Sequence, residues 1–221
     1  GPIPNPLGSS VDSHRLIRHP YGAMGGYARM INPAYAAWER MWSAIGQRLY
    51  AHTGTLVLAR DVLDWAEASL KDMTQLGIHA ERLTHAQLAK RAPMLCPDGI
   101  ELAAWIDSGG VLLADQIVAS LARHLLLRGV TMRTHTRIET IEVDRRTVVL
   151  EDGERIRADA TVVSVGPWIH RLQTGFKKRV TPSRQLVIYL EPPKRFQSRW
   201  KSAPMVLDIH KNGGVYIVPP V

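Results

Sequence analysis

The sequence predicts a mixed α/β fold (α+β overall), with α/β organisation in the middle of the chain and a more antiparallel sheet after it. Three observations predict it. A strand pattern at Ala103–Ile106, an amphipathic helix with Ile117, Val118, Leu121, Ala122 and Leu125, and a strand pattern at Val130–Thr136 follow one another as a β–α–β unit. Its crossover is right-handed if the two strands share a sheet. Residues 160–165, Ala-Thr-Val-Val-Ser-Val, form a near-continuous apolar run, the pattern of a strand buried on both faces. The last third then alternates strand-like segments (Gln185–Leu190, Met205–Ile209, Val215–Val218) with turns at Pro192-Pro193 and Asn212-Gly-Gly214.

The remaining elements follow in order. Residues 1–14 hold Pro2, Pro4, Pro6, Gly8, Ser9, Ser10 and Ser13, which is loop chemistry. Arg15–Gly22 is short, extended and polar. Asn32-Pro33 has the form of a helix start, asparagine as cap and proline in the first turn. Trp38, Met41, Trp42, Ile45 and Leu49 follow at helical spacing and predict one buried face. Gly54–Ala59 predicts a strand, and Val62, Trp65, Ala66, Leu70 and Met73 a second helix ending at Gly77. Thr84 caps a short third helix around Leu88. A sharp turn at Asp107-Ser-Gly-Gly110 precedes the fourth helix, which stops at Gly129. Ile138–Val143 and Thr147–Leu150 predict strands, with Glu151-Asp-Gly153 as a hairpin turn.

Of 221 residues, 45% are apolar and 22% charged, an ordinary globular composition. With 28 Lys and Arg against 20 Asp and Glu, the net charge is +8. The positive residues are scattered in short clusters such as Lys90-Arg91 and Lys177-Lys178-Arg179, with no basic helix and no aromatic-interleaved motif. That pattern argues against a nucleic-acid partner. The single cysteine, Cys96, excludes an intramolecular disulfide and any zinc site built on two or more cysteines, and is expected to be an ordinary small apolar residue. No apolar run approaches the roughly 20 residues of a membrane helix, and no signal peptide is visible. Together these predict a cytoplasmic protein with no membrane partner, a monomer or weak oligomer. The chain starts without Met and stops at Tyr216–Val221, within a strand and turn pattern, so it reads as an internal piece of a longer protein.

The chemistry-bearing residues are few. The nine histidines show no HExxH and no metal-ligand spacing with a carboxylate on a helix, so no metal is expected. There is no GxSxG, GxGxxG or P-loop. Gly109-Gly110 before a helix and Gly166 after the apolar run 160–165 are positions where a backbone either turns or lets a ligand approach closely. Arg15 and Arg18 place two guanidiniums three residues apart behind a Gly-Ser-Ser loop. Such a pair forms surface salt bridges or grips a carboxylate by its bidentate fork.

Taken in order, the segments resemble the FAD-dependent amine and amino-acid oxidases of the D-amino-acid oxidase superfamily, in its sarcosine-oxidase and N-methyltryptophan-oxidase branch. Gly8-Ser-Ser10 followed by Arg15-Leu-Ile-Arg-His-Pro-Tyr-Gly22 resembles that family's glycine–serine loop and R-h-h-R-H-x-Y-G segment. Residues 53–58 resemble its T-G-x-L strand, and residues 108–112 the stretch that returns the chain to the FAD domain. Residues 134–139 resemble the strand end beside the adenine, residues 164–168 the S-h-G-x-W turn at the cofactor, and Arg184-Gln185 the start of a substrate-domain strand. The likeness covers nearly all of the chain.

The resemblance implies a partial Rossmann-like FAD-binding domain (1–27 and 107–174) and a partial, mainly antiparallel substrate domain (28–106 and 175–221). The first β–α–β unit with GxGxxG would precede Gly1. The oxygen-reducing lysine and the covalent-flavin cysteine, which Cys96 does not match, would follow Val221. Ser9, Ser10, Arg15, Ile138, Ser164, Gly166 and Trp168 would contact FAD, and Arg18 would grip the substrate carboxylate; Arg15 and Arg18 are thus the candidate catalytic residues. The implied reaction is oxidation of the C–N bond of a secondary or N-methyl amino acid by hydride transfer to flavin, with imine hydrolysis and reduction of O2 to H2O2. The alternatives are a flavin dehydrogenase with another acceptor, or a non-catalytic scaffold if the chain is complete. Two departures bear on the substrate. Ser10 and Val11 stand where the branch commonly has histidines, and Ile217 stands where an active-site tyrosine is expected, which implies a more apolar pocket.

Overall fold

The computed structural model describes residues 1–10 and 12–221; Val11 lies outside the described residues. The elements run β1 (Arg15–Ile17), α1 (Gly25–Ile45), β2 (Tyr50–His52), β3 (Thr55–Ala59), α2 (Leu63–Gln75), β4 (Ala80–Leu83), α3 (His85–Arg91), β5 (Leu102–Ile106), β6 (Gly110–Leu112), α4 (Ala114–Leu127), β7 (Ile138–Glu142), β8 (Thr147–Leu150), β9 (Arg155–Arg157), α5 (Ile169–Leu172), α6 (Gln197–Trp200), β10 (Met205–His210) and β11 (Gly213–Ile217). The mixed α/β character expected of the sequence is what these elements form. They belong to two compact units, each discontinuous in sequence: Ser13–Ile117 with Glu191–Val221, and Gly1–Asp12 with Val118–Leu190.

The larger unit is built on a five-stranded sheet in the order β11-β10-β3-β5-β4, in which only β3 and β10 run parallel. All five residues of β3 are buried, because helices cover both faces of the sheet. Val57 and Ala59 point to one face, where they meet Leu207, Ala28 of α1 and Ala66, Leu70 and Met73 of α2. Leu56 and Leu58 point to the other, against Val206, Leu83, and Leu88 of α3. This two-residue alternation assigns each side chain of the central strands to one of two cores. Burying each such Leu or Val stabilises the fold by about 1.5–3 kcal/mol. A second sheet, β1-β6-β2, is antiparallel throughout. Thr84 caps α3 in a reciprocal capping box with Gln87, as its position predicts.

The smaller unit holds the antiparallel sheet β7-β8-β9, with the turn at 151–153 joining β8 to β9. Three expected strands do not form: residues 130–136, 160–165 and 185–190 make no ladder with any described strand. The expected β–α–β unit over 103–136 is therefore absent, and β5 pairs with β3 and β4 instead. The physical reason is that an apolar run becomes a strand only when a neighbour takes its N–H and C=O groups. Val162 at 89% and Leu186 at 84% exposure show that these runs are not core here.

The start of the first helix also differs. It begins at Gly25, and Pro33 lies inside it. Asn32 is not a cap: its side-chain oxygen accepts a hydrogen bond from the buried His19 at 3.0 Å. The Asn-Pro pair thus imitates a helix start while serving a tertiary contact. Cys96 is exposed, not apolar filling, because it sits in the loop between α3 and β5.

Candidate active site

The segment Arg15–Gly22 is held at three points. β1 pairs with β6 from Arg15↔Leu112 to Ile17↔Gly110. Ile17 is buried, while the strand's alternation sends Leu16 towards the α1–α2 core. Next, His19 is 2% exposed and bridges two elements: its Nδ1 lies 2.7 Å from Ser108 Oγ and its Nε2 3.0 Å from Asn32 Oδ1. The asparagine oxygen makes Nε2 the donor, so neutral Nδ1 accepts from the serine hydroxyl. Burial lowers the pKa of this histidine, outweighing the Asn32 hydrogen bond that raises it. Finally, the Gly22 N–H donates to Ser69 Oγ of α2 at 2.8 Å. Gly22 has φ +60°, and a Cβ there would overlap the Trp65 indole. The glycine of this segment is therefore demanded by both backbone and packing.

Between these anchors stands Arg18. Its guanidinium carbon lies 4.2 Å from the Tyr21 ring centroid and 5.4 Å from that of Tyr216. Its Nη2 donates to the Tyr216 hydroxyl at 3.4 Å. Its Nη1 is buried and has no hydrogen-bond partner among the described residues. An arginine cannot shed its charge to relieve such burial, so an unpaired Nη1 flanked by aromatic rings is suited to an anionic ligand. Arg15 is half-buried and donates from Nη1 to the carbonyl of His14 at 2.7 Å.

Tyr216 and Ile217 lie on opposite faces of β11. The hairpin register pairs Tyr216 with Leu207 and Ile217 with Val206. Ile217 packs with Trp105 against the cluster that contains Leu56, Leu58 and Val206. The structure thus brings Arg18 together with Tyr21 and Tyr216, and places Ile217 on the other side of the sheet. Sequence reasoning missed both tyrosines and the anchoring role of His19. The signal for Tyr216 was present in the two-residue connection at Lys211-Asn212, which fixes the register and hence the faces.

The other candidates lie in the smaller unit. Ser9 and Ser10 are exposed, following a turn closed by Gly8 N–H to the Asn5 carbonyl at 3.0 Å. Ile138 opens β7 opposite Leu150. Ser164 is exposed, and Gly166, at φ +55°, starts a single 3-10 turn that contains Trp168. Exposed hydroxyls and a glycine turn with open space around it suit the polar parts of a dinucleotide. Gly109 has a different use. A Cβ there would overlap Thr55 and Met205, so the glycine serves close packing of the chain on itself. A cavity of about 630 Å³ beside it is lined by Tyr35, Arg48, Tyr50, His52, Asp107, Ser108 and Gly109, and neither Arg15, Arg18, Ile217 nor the candidate FAD residues line it. Among the described residues, no three His, Cys, Asp or Glu side chains come together to hold a metal ion, and no helix is long and apolar enough to cross a membrane.

Comparison with known proteins matches residues 2–221 to the family described as FAD dependent oxidoreductase. Monomeric sarcosine oxidase of Bacillus sp. (strain B-0618) is 23% identical over 192 residues, which are 85% of this chain and 49% of that protein. N-methyl-L-tryptophan oxidase of Yersinia pestis (strain Pestoides F) is 23% identical over 195 residues, 87% of this chain and 52% of that protein. The chain spans about half the length of these relatives. Among solved structures, glycine oxidase from Geobacillus kaustophilus superimposes with a TM-score of 0.67 at 20% identity, covering 92% of this chain and 56% of that one.

Proposed function

The chain belongs to the FAD dependent oxidoreductase family, and from that premise we propose that the protein carrying it oxidises the C–N bond of a secondary or N-methyl amino acid. The observation that carries the proposal is Arg18: a guanidinium between two tyrosine rings, with one buried nitrogen that has no hydrogen-bond partner among the described residues. A substrate carboxylate supplies the missing acceptor, and its fixed direction orients the amine-bearing carbon. The names of both matched oxidases, one for sarcosine and one for N-methyl-L-tryptophan, support an N-methyl amino acid as the substrate class.

In this reading Ser9, Ser10, Ser164, Gly166, Trp168 and the backbone of Ile138 would hold the FAD, with Arg15 placing positive charge against its ring. When bound, FAD supplies hydride acceptance from the carbon beside the amine; water hydrolyses the resulting imine, and O2 takes the two electrons as H2O2. In the whole protein, 1–27 and 107–174 would serve the cofactor, and 28–106 and 175–221 the substrate.

The test is Arg18→Met in the flavin-loaded protein, assayed with an N-methyl amino acid and with an N-methyl amine that lacks the carboxylate. Loss of two charge-assisted hydrogen bonds should raise KM for the amino acid by about a hundredfold or more. The simple amine should be unaffected. An unchanged KM for the amino acid would refute the assignment.

A further inference from the structure

We propose that the cavity beside Gly109 is a second ligand site, separate from Arg18, and that it takes a small zwitterion with an apolar ring, an aromatic α-amino acid. Its volume of about 630 Å³ suits a small molecule. The rings of Tyr35, Tyr50 and His52 run along its wall as neighbours, with centroids 6.0 Å apart from Tyr35 to Tyr50 and 6.4 Å from Tyr50 to His52. Arg48 and Asp107 line the same cavity, one cation and one carboxylate. Arg48 Nη2 meets Glu39 at 2.8 Å, but both side chains are more than half exposed, so the pair is weak and exchangeable. The Asp107 side chain has no ion pair and no hydrogen bond among the described residues. The Tyr35 hydroxyl is buried and likewise has no hydrogen-bond partner among them, so the wall holds a polar group that an acceptor on a seated ligand would complete.

The chain fixes where the carboxylate stands. His52 Nε2 donates to the Asp107 carbonyl at 2.5 Å, Thr55 Oγ1 to the Ser108 carbonyl at 2.8 Å, and the Tyr50 hydroxyl to the Gly109 carbonyl at 3.0 Å. Three consecutive carbonyls of the turn are tied, two of them by side chains of the cavity wall itself. A turn held in this way presents its carboxylate without the ordering cost of a free loop. The charges then select the ligand. An anion alone would leave Asp107 unpaired and meet its repulsion, and a cation alone would do the same at Arg48; a zwitterion satisfies both. The run of aromatic rings favours a flat apolar body between the charges and the wall. Neither Arg15 nor Arg18 lines the cavity, so the proposal stands apart from the carboxylate reading of Arg18.

The probe is L-phenylalanine, titrated calorimetrically into the flavin-loaded Arg18→Met protein, in which the guanidinium of the other site is gone. Binding should remain, at a single site per chain. Arg48→Met and Asp107→Asn, added singly to that background, should each weaken it about fivefold to tenfold, and Tyr35→Phe about twofold to fivefold. Arg48 and Asp107 are exposed, so their replacement leaves the core packing intact. Phenylacetate, which lacks the ammonium, and phenethylamine, which lacks the carboxylate, should each bind about tenfold less tightly than phenylalanine. If the Arg18→Met protein binds no phenylalanine, the second site is overturned. If binding survives all three further substitutions unchanged, this cavity is overturned as its place. Equal binding of phenylalanine, phenylacetate and phenethylamine would overturn the zwitterion assignment.

Discussion

Replacing His19 by alanine tests how the site is held in place. The imidazole is 2% exposed and bridges Ser108 of the 107–110 turn to Asn32 of α1, at 2.7 and 3.0 Å. Truncation removes two hydrogen bonds worth about 1 kcal/mol each and leaves both partners facing a void. Loss of the buried ring adds about 2 kcal/mol. The sum, about 4 kcal/mol, is a large part of the 5–15 kcal/mol typical of a domain. With a urea slope of about 2.5 kcal/mol per M, the midpoint should fall by about 1.6 M. Tryptophan fluorescence is a suitable probe, since Trp38, Trp42, Trp65, Trp105 and Trp200 all lie in the larger unit. Glutamine, which reaches one partner, should restore about half of the loss. A His19→Ala variant within about 1 kcal/mol of wild type would refute the bridging role.

The same residue sets a pH dependence of defined sign. Burial lowers the folded-state pKa of His19 below the ordinary value near 6.5. Between the lowered folded value and 6.5 the unfolded chain binds more protons than the folded one, so stability rises with pH across that window. The contribution is fully present above about pH 6.5 and is lost as the pH falls through that value towards the folded one. His19→Gln should flatten this part of the stability profile, and an unchanged profile would show that another group carries it.

Gly22→Ala should cost about 2–4 kcal/mol, from a left-handed backbone and overlap with Trp65, and lower Tm by roughly 5–15 °C. Adding Trp65→Ala should recover the packing share, and a neutral Gly22→Ala would show that the loop moves freely. Arg60 forks onto Asp208 of β10 with bonds of 3.1 Å and donates to the Asp98 carbonyl at 2.6 Å. Its side chain is 34% exposed and that of Asp208 13%. Solvent screening therefore limits the loss in Arg60→Ala to about 1–2 kcal/mol by urea unfolding, and a loss that vanishes in 1 M salt would mark the pair as a surface contact. Cys96, being exposed, should react with Ellman's reagent at one equivalent per folded chain, and a thiol that reacts only in denaturant would contradict its position.

What could be read from the sequence divides along a physical line. Helices carry their own hydrogen bonds, so α2, with Ala66, Leu70 and Met73 inward, and α3, with its Thr84 cap, were legible from local pattern alone. Strands borrow theirs. The apolar run 160–165 carries a stronger strand pattern than Ala80–Leu83, yet the latter forms β4 because β5 lies beside it. The site shows the same division. Arg15 and Arg18 stand out by type and spacing, whereas the partner of Arg18 is 198 residues away. One residue of register decides whether that partner is a tyrosine or an isoleucine.

Two arginines of the larger unit show why Arg18 reads as a site and not as a structural ion pair. Arg60 meets a carboxylate with its fork and a carbonyl with its remaining nitrogen, so the chain itself satisfies it. Arg18 meets two aromatic rings and one phenol, and no carboxylate among the described residues. Both guanidiniums are permanently charged, and a buried unpaired donor costs about 1–3 kcal/mol. In Arg60 that cost is offset by Asp208. In Arg18 no carboxylate among the described residues offsets it, while His19, Gly22 and β6 hold the segment where it stands. A cation fixed so firmly with no carboxylate beside it among the described residues supports the proposal that Arg18 receives an anion from outside.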